Sequence, residues 1–176
     1  MRMKNKVVLV IGGASGIGLA IADRLAAEGA EVFLTGRRSI DVDAAVDKIG
    51  NGAIGIVGDA GDSSDIEKMM ETLRSKKGRI DALIFNAGVS EPAGLANSTP
   101  DHFDRHFSVN TRAPMLAMRA GSSLLGKGSA ALLIGSIAGV KGVPTHATYA
   151  ATKAALRSYV RSWTAEFAEL YRHAPA

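Results

Sequence analysis

Tyr149 and Lys153 stand four residues apart, one helical turn, and Ser136 precedes the tyrosine by 13 residues. A phenol, an ammonium and a hydroxyl in this spacing suit proton transfer to an oxygen that is gaining negative charge. An unperturbed phenol, with a pKa of about 10, is sluggish in that task near neutral pH. A neighbouring ammonium favours the phenolate, and a hydroxyl can hydrogen-bond the developing oxyanion. Interconversion of a carbonyl and an alcohol, where hydride delivery leaves an alkoxide to be protonated, is one reaction that would use all three.

The segment from Tyr149 onward predicts the helix that positions the first two. Leu156, Val160, Trp163, Phe167 and Leu170 recur at spacings of 4, 3, 4 and 3, which makes one core-facing stripe. Extended backward, the stripe takes in Lys153 and Tyr149, all seven within about a 100° arc. A buried Lys is costly unless it has partners or a task. The bland alternative is a Lys that reaches solvent from the first helical turn.

A second constellation lies near the start of the chain. Gly12-Gly13-Ala14-Ser15-Gly16-Ile17-Gly18 follows an apolar run and leads into a helix whose Leu19, Ala22, Leu25 and Ala26 face one way. A pyrophosphate needs backbone N–H donors at a helix N-terminus and no side chain at the closest approach. Gly12 makes the turn, Gly16 admits the phosphates and Gly18 allows the helix to pack closely. Ser15 and Ile17 lie between them as further cofactor contacts, and the alternative is a merely flexible strand-to-helix turn.

Five apolar runs read as buried parallel strands: Lys6 to Ile11, Val32 to Thr35, Ala53 to Val57, Asp81 to Phe85 and Ala130 to Ser136. Helical segments alternate with them over Gly16 to Glu28, Ile40 to Ile49, Ser63 to Lys77, about Asp101 to Leu125, and Tyr149 onward. The alternation predicts a doubly wound, Rossmann-like α/β domain spanning residues 1–176, with about five parallel strands and ligands at the strands' carboxyl ends. Ser136 is expected to end the fifth strand at that edge.

The spacing Gly-x-x-x-Gly-x-Gly resembles the short-chain dehydrogenase/reductase family, with Ile11 where the family commonly has Thr. Asn86-Ala87-Gly88 after the fourth strand is similar to the family's Asn-Ala-Gly signature, and Gly58-Asp59-Ala60 to its short acidic motif. Ser136, Tyr149 and Lys153 match its catalytic pattern, and Asn110 in Ser108-Val109-Asn110-Thr111 matches its fourth catalytic residue. The resemblance implies that Asp59 and Ala60 lie near the adenine. It implies that Asn86 stabilises the central sheet while Ala87 and Gly88 leave room for the cofactor ribose. It further implies that Lys153 bonds the nicotinamide ribose beside Tyr149, and that Asn110 helps hold a water that relays protons to Lys153.

At the end of the second strand a carboxylate would select NAD and an Arg would accommodate the extra phosphate of NADP. The chain reads Leu34-Thr35-Gly36-Arg37-Arg38. Gly36 stands where NAD-preferring members usually carry Asp, and Arg37 offers a planar donor fork, with Arg38 as a second candidate. NADP is therefore expected rather than NAD. Two exposed arginines that merely begin a loop are the alternative.

Composition sets the outer bounds. The 176 residues are 47% apolar and 22% charged, with no Cys and a formal charge of +4. Disulfide frameworks, thiolate metal sites and Cys nucleophiles are excluded. The charge is too small to argue for nucleic acid or an anionic membrane. Residues 1–104 carry net −3 and residues 105–176 net +7, read as a solvated basic face. The run Val7 to Ile11 is too short for a secretory signal and nothing reaches the roughly 18 apolar residues of a membrane span, so a cytoplasmic enzyme is expected.

His102 and His106 share a helix face, but no third ligand is placed by spacing and no metal site is expected. His146 lies close to Tyr149 as a loop residue within reach of substrate, and His173 falls near the end of the chain. Arg74, Lys76, Lys77 and Arg79 sit at a helix C-terminus, where the dipole favours cations.

Family members usually continue past the catalytic helix into two further strand-helix units, roughly 60 residues. The expectation is a fold truncated after that helix, with the fifth strand as an exposed edge and a pocket lacking its lid. The expected function is an NADP(H)-dependent oxidoreductase acting on a small carbonyl or secondary alcohol. A catalytically impaired nucleotide-binding or oligomer-forming member is the second reading. The helix after the fourth strand and the catalytic helix, paired across a dyad in the family, imply a homodimer.

Overall fold

Val7–Ile11 forms strand β1, and all five side chains are buried. An apolar run with no alternation requires cover on both faces, which is what a central parallel strand receives. The computed structural model describes residues 1–172, with side-chain surroundings through residue 168. His173 and the Leu170 side chain lie outside the described residues. No helix among them is long and apolar enough to cross a membrane.

The chain forms two compact units, the first of Met1–Gly88 and Arg112–Ile134, the second of Val89–Thr111 and Gly135 onward. In the first unit β1 is followed by α1 (Gly16–Ala27), β2 (Glu31–Gly36), α2 (Ser39–Ile49), β3 (Ile54–Val57), α3 (Ser63–Lys77) and β4 (Ile80–Phe85). After the second unit's first segment come α5 (Ala113–Gly121) and β5 (Leu125–Leu133). The sheet has five parallel strands in the order β3-β2-β1-β4-β5. This is the Rossmann-like doubly wound arrangement that the alternation predicts.

The strand period of two sorts the core. Val8, Val10, Val32, Leu34 and Ile84 cluster with Ala22 and Ala26 of α1 and Val42, Ala45 and Ile49 of α2. Leu83 meets Gly121 of α5, which also lies against Met70 of α3, on the opposite face. α3 illustrates how its own sequence bounds it. Asp62 caps the start by accepting from the Ser64 and Asp65 N–H groups, and Gly78 closes the end at φ 66°. Three of the basic residues there are paired with carboxylates: Arg74 with Glu71, Lys77 with Glu31 and Arg79 with Asp81.

Four expectations need correction. Not all strands are buried: β3 alternates, and β5 is mostly exposed, with Leu132 51% accessible, because these two are the sheet's edges. β5 also begins earlier, at Leu125, and ends at Leu133, so Ser136 lies beyond the strand rather than ending it. A register shift lets Leu125 pair Ile80 while Ala130 pairs Ala82, and the inserted residues turn at Gly128 with φ 85°.

The single helix expected over Asp101 to Leu125 is instead α4 (Pro100–Phe107), a π turn (Ser108–Arg112), α5 and a 3₁₀ turn (Ser122–Leu124). Pro114 is the physical reason, since it has no N–H to give the carbonyl four residues back and its ring crowds that carbonyl. That carbonyl belongs to Asn110.

The second unit contains α4, the π turn, a 3₁₀ turn at Ile137–Gly139 and α6 (Ala147–Arg172). α6 buries Thr152, Lys153 and Leu156, but Val160 is 42% accessible and Trp163 and Phe167 are half-buried. The predicted stripe is thus core-facing only in its first three turns. Periodicity marks a face able to be buried, and burial also requires a packing partner. Tyr159 and Trp163 instead stack on each other at 4.6 Å.

Candidate active site

In the first unit the glycine turn has the geometry of an anion cradle. Gly12 has φ 77°, and a Cβ there would lie 2.6 Å from the Ala87 nitrogen. A Cβ on Gly18 would lie 2.1 Å from the Gly12 carbonyl oxygen, so the start of α1 can approach β1 only with glycine at that position. A Cβ on Gly16 would meet nothing within 4 Å, which leaves the space in front of the helix N-terminus open. Ser15 occupies the N-cap without a side-chain cap bond, and Ile17 is largely exposed. Exposed N–H donors, a hydroxyl not used in capping and open space fit a pyrophosphate.

β2 and β4 flank β1, so the loops at their ends border the turn, and the end of β3 lies one strand further out. Arg37 has no ion-pair partner among the described residues, whereas Arg38 forks onto Asp41 at 2.5 and 2.8 Å. Asp59 accepts from the Gly61 N–H at 2.8 Å, its own N–H donates to Asp65 at 3.0 Å, and Ala60 is buried. Asn86 Nδ2 donates to the Gly12 carbonyl at 2.9 Å, and the N–H groups of Asn86 and Ala87 both donate to the Ile11 carbonyl. Asn86 therefore ties β4 to the glycine turn itself.

Thr35 is a participant that motif spacing misses. Its buried hydroxyl accepts the Gly12 N–H at 3.1 Å, and its carbonyl accepts the Gly13 N–H at 2.9 Å. With Ile11 before the first glycine, a hydroxyl reaches the turn from the neighbouring strand. Its only sequence signal is a polar residue inside an apolar strand.

The second unit brings Asn110, Ser136, Tyr149 and Lys153 into one set of local supports. Lys153 is 5% accessible, with Nζ 5.8 Å from the centre of the Tyr149 ring. Burial pushes the Lys153 ammonium below its ordinary pKa. Ser136 caps the 3₁₀ turn by accepting the Ala138 N–H at 3.2 Å, which leaves its hydroxyl hydrogen available to donate. Gly139 packs against Lys153, where a Cβ would lie 3.0 Å from the backbone carbon of that residue.

Asn110 is buried in the π turn and uses its whole side chain. Oδ1 accepts the Val89 N–H at 2.8 Å, and Nδ2 donates to the Val89 carbonyl at 2.8 Å and to the Thr152 hydroxyl at 3.1 Å. Thr152 in turn donates to the Tyr149 backbone carbonyl at 2.7 Å. Pro114 has no N–H to give the Asn110 backbone carbonyl, which is therefore the main-chain group of the π turn that a helical i+4 donor cannot reach. Thr152 was not singled out by spacing, although its place beside Lys153 in the buried turn makes it a natural brace.

The histidines divide. His106 is buried, with Nδ1 donating to the His102 carbonyl at 2.8 Å and Nε2 accepting the Glu91 N–H at 3.1 Å. His102 Nε2 lies 2.9 Å from the Glu91 carbonyl. Both rings brace the Glu91 backbone, and no group of three metal-ligating residues occurs among the described residues. His146 stands apart from this pair, edge-on to Tyr149 with ring centres 6.2 Å apart.

The model of the short chain dehydrogenase family matches residues 6–170. Among curated proteins, the oxidoreductase asL5 of Sarocladium schorii is 32% identical over 164 residues, covering 92% of this chain and 66% of that protein. Versicolorin reductase stcU of Emericella nidulans is 38% identical over 165 residues, covering 91% and 62%. A short chain dehydrogenase from Burkholderia cenocepacia, solved in complex with NADP, is 33% identical with a TM-score of 0.91, covering 96% of this chain and 71% of that one. The chain spans less than two thirds of the length of the curated relatives it matches. The chain belongs to the short chain dehydrogenase family.

Proposed function

We propose that this chain is an NADP(H)-dependent oxidoreductase that interconverts a small-molecule carbonyl and a secondary alcohol, its two units acting as one domain. The observation that carries the reading is the place of buried Lys153 one turn from Tyr149, its Nζ 5.8 Å from the centre of the phenol ring. The glycine cradle and the open space before Gly16 support a dinucleotide. Arg37, which has no ion pair among the described residues, supports NADP, and Arg38 would have to leave Asp41 to assist. The bound nicotinamide supplies or accepts the hydride.

The chain's own residues handle the proton. Ser136 donates its hydroxyl hydrogen to the substrate oxygen and stabilises charge developing there. Tyr149 gives its phenolic proton to the same oxygen in reduction and takes it back in oxidation. The Lys153 ammonium stabilises the negative charge left on the Tyr149 oxygen and contacts the cofactor ribose. The Asn110 backbone carbonyl holds a water through which the proton is replaced. Asp59, Ala60, Asn86, Ala87 and Gly88 bound the adenosine and ribose.

A relative of Zymoseptoria tritici named probable tetrahydroxynaphthalene reductase, 36% identical over 165 residues, supports a hydroxylated ring compound as the substrate class. α4, α5 and α6 are the surfaces through which we expect a homodimer, in the cytoplasm. The second reading is nucleotide binding with impaired turnover. Thermal unfolding with NADPH and, separately, NADH tests the first. A ligand at 100 times its dissociation constant stabilises by about 2.7 kcal/mol. Stabilisation by NADPH alone supports the NADP site, and no response to either dinucleotide refutes it.

A further inference from the structure

A strained turn holds a histidine beside the proposed proton donor. Thr145 has φ 65°, a left-handed conformation that a β-branched residue rarely adopts. Its carbonyl is pinned by the Ala93 N–H at 2.8 Å, and its hydroxyl donates to the Pro144 carbonyl at 2.6 Å. His146 Nδ1 lies 3.0 Å from that same carbonyl, and the imidazole meets Tyr149 edge-on, 6.2 Å away and inclined by 75°. Strain of this kind persists only where the surroundings over-determine it, and it concentrates at ligand sites.

The hydrogen bonds fix the chemistry of the ring. Nδ1 also lies 3.3 Å from the Thr145 hydroxyl, whose hydrogen goes to the Pro144 carbonyl; with Nδ1 donating to that carbonyl, Nε2 of the neutral imidazole is an acceptor. Nε2 has no partner among the described residues, although the ring is half-buried. Bracing the turn requires only Nδ1. The second nitrogen therefore stands ready beside the phenol that must meet the substrate.

We propose that His146 is a specificity-determining residue: Nε2 accepts a hydrogen bond from a hydroxyl group on the substrate, remote from the reacting carbonyl, and so selects hydroxylated ketones over their unhydroxylated counterparts. The inference rests on Tyr149 being the residue that meets the carbonyl. His146 takes no part in the proton transfer. Its effect is on binding, and therefore on KM more than on kcat.

The test compares 3′-hydroxyacetophenone with acetophenone on the NADP⁺-saturated protein, which cannot reduce either, by ligand-observed NMR. Reduction rates with NADPH are measured in parallel. The parent should bind the hydroxylated ketone roughly five- to tenfold more tightly, the scale of one net hydrogen bond. His146→Asn keeps a donor near the Nδ1 position and removes Nε2, so it should abolish the preference. His146→Gln places an amide near the Nε2 position and should restore part of it. Equal discrimination by the parent and His146→Asn, or binding of neither ketone, overturns the proposal. A preference that depends on His146 without turnover by the parent supports it while refuting the catalytic reading.

Discussion

The side-chain amide of Asn110 meets the hydroxyl of Thr152 at 3.1 Å, and that hydroxyl donates to the Tyr149 backbone carbonyl at 2.7 Å. The π turn and the first turn of α6 are thereby joined inside the second unit. Thr152→Val removes the hydroxyl at constant volume and leaves Asn110 its two bonds to Val89. The expected loss of stability is about 1–3 kcal/mol, the usual result of stranding a buried polar partner. If Thr152 positions Tyr149, kcat should fall with little change in NADPH affinity, and Thr152→Ser should recover both stability and kcat. A stability loss with unchanged kcat would leave Thr152 a purely structural brace.

Tyr149→Phe removes one oxygen from a half-buried ring and leaves the contact with His146 and the proximity of Lys153. Any carbonyl reduction should be abolished, because no other described group combines an ionisable hydroxyl with an adjacent buried cation. NADPH binding, followed by thermal unfolding, should remain nearly unchanged. Turnover equal to the parent's would remove Tyr149 from the mechanism.

Arg37→Asp reverses the charge at the end of β2 while Arg38 keeps its pair with Asp41. The variant should bind NADPH far more weakly and NADH nearly as before, because only the 2′-phosphate meets the introduced carboxylate. Titration with both dinucleotides decides the matter. An unchanged preference would transfer phosphate recognition to other residues.

The sequence made the site's chemistry more legible than its supports. Gly12, Gly16 and Gly18 announce themselves because one residue type satisfies the turn's steric demand, and β1 because an unbroken apolar run suits a central strand. One helix over Asp101 to Leu125 is not what forms, because Pro114 is a local signal with a definite mechanical effect. β5 was misplaced because a bulge has no strand period. Thr35 and Thr152 were invisible for another reason. A hydroxyl's role depends on which distant N–H or carbonyl the fold brings to it, and spacing along the chain carries no such information.

The pH dependence of stability has a definite sign on each side. Hydrogen bonds from Arg2 hold Glu28 down at about 2, and hydrogen bonds from Ser64 lower Asp62. Burial alone would raise Asp81, but hydrogen bonds from Lys6, the Val7 N–H and Arg79 outweigh it and leave the pKa lowered. For these carboxylates the unfolded chain binds protons first as pH falls. Their stabilisation is present above the ordinary carboxylate range and is lost as pH falls through the lowered native values. Lys153 is also lowered, by burial. Between its native and ordinary values the unfolded chain again holds more protons, so stability should rise with pH through that window, and the cost of burying the ammonium is fully present below it. Urea unfolding of the parent and Lys153→Met across both windows isolates that contribution. The two proteins should lose stability in parallel in acid, whereas on the alkaline side only the parent should show the rise. Parallel curves throughout would mean that folding does not perturb the Lys153 ammonium, and would take away the energetic argument that its burial serves catalysis.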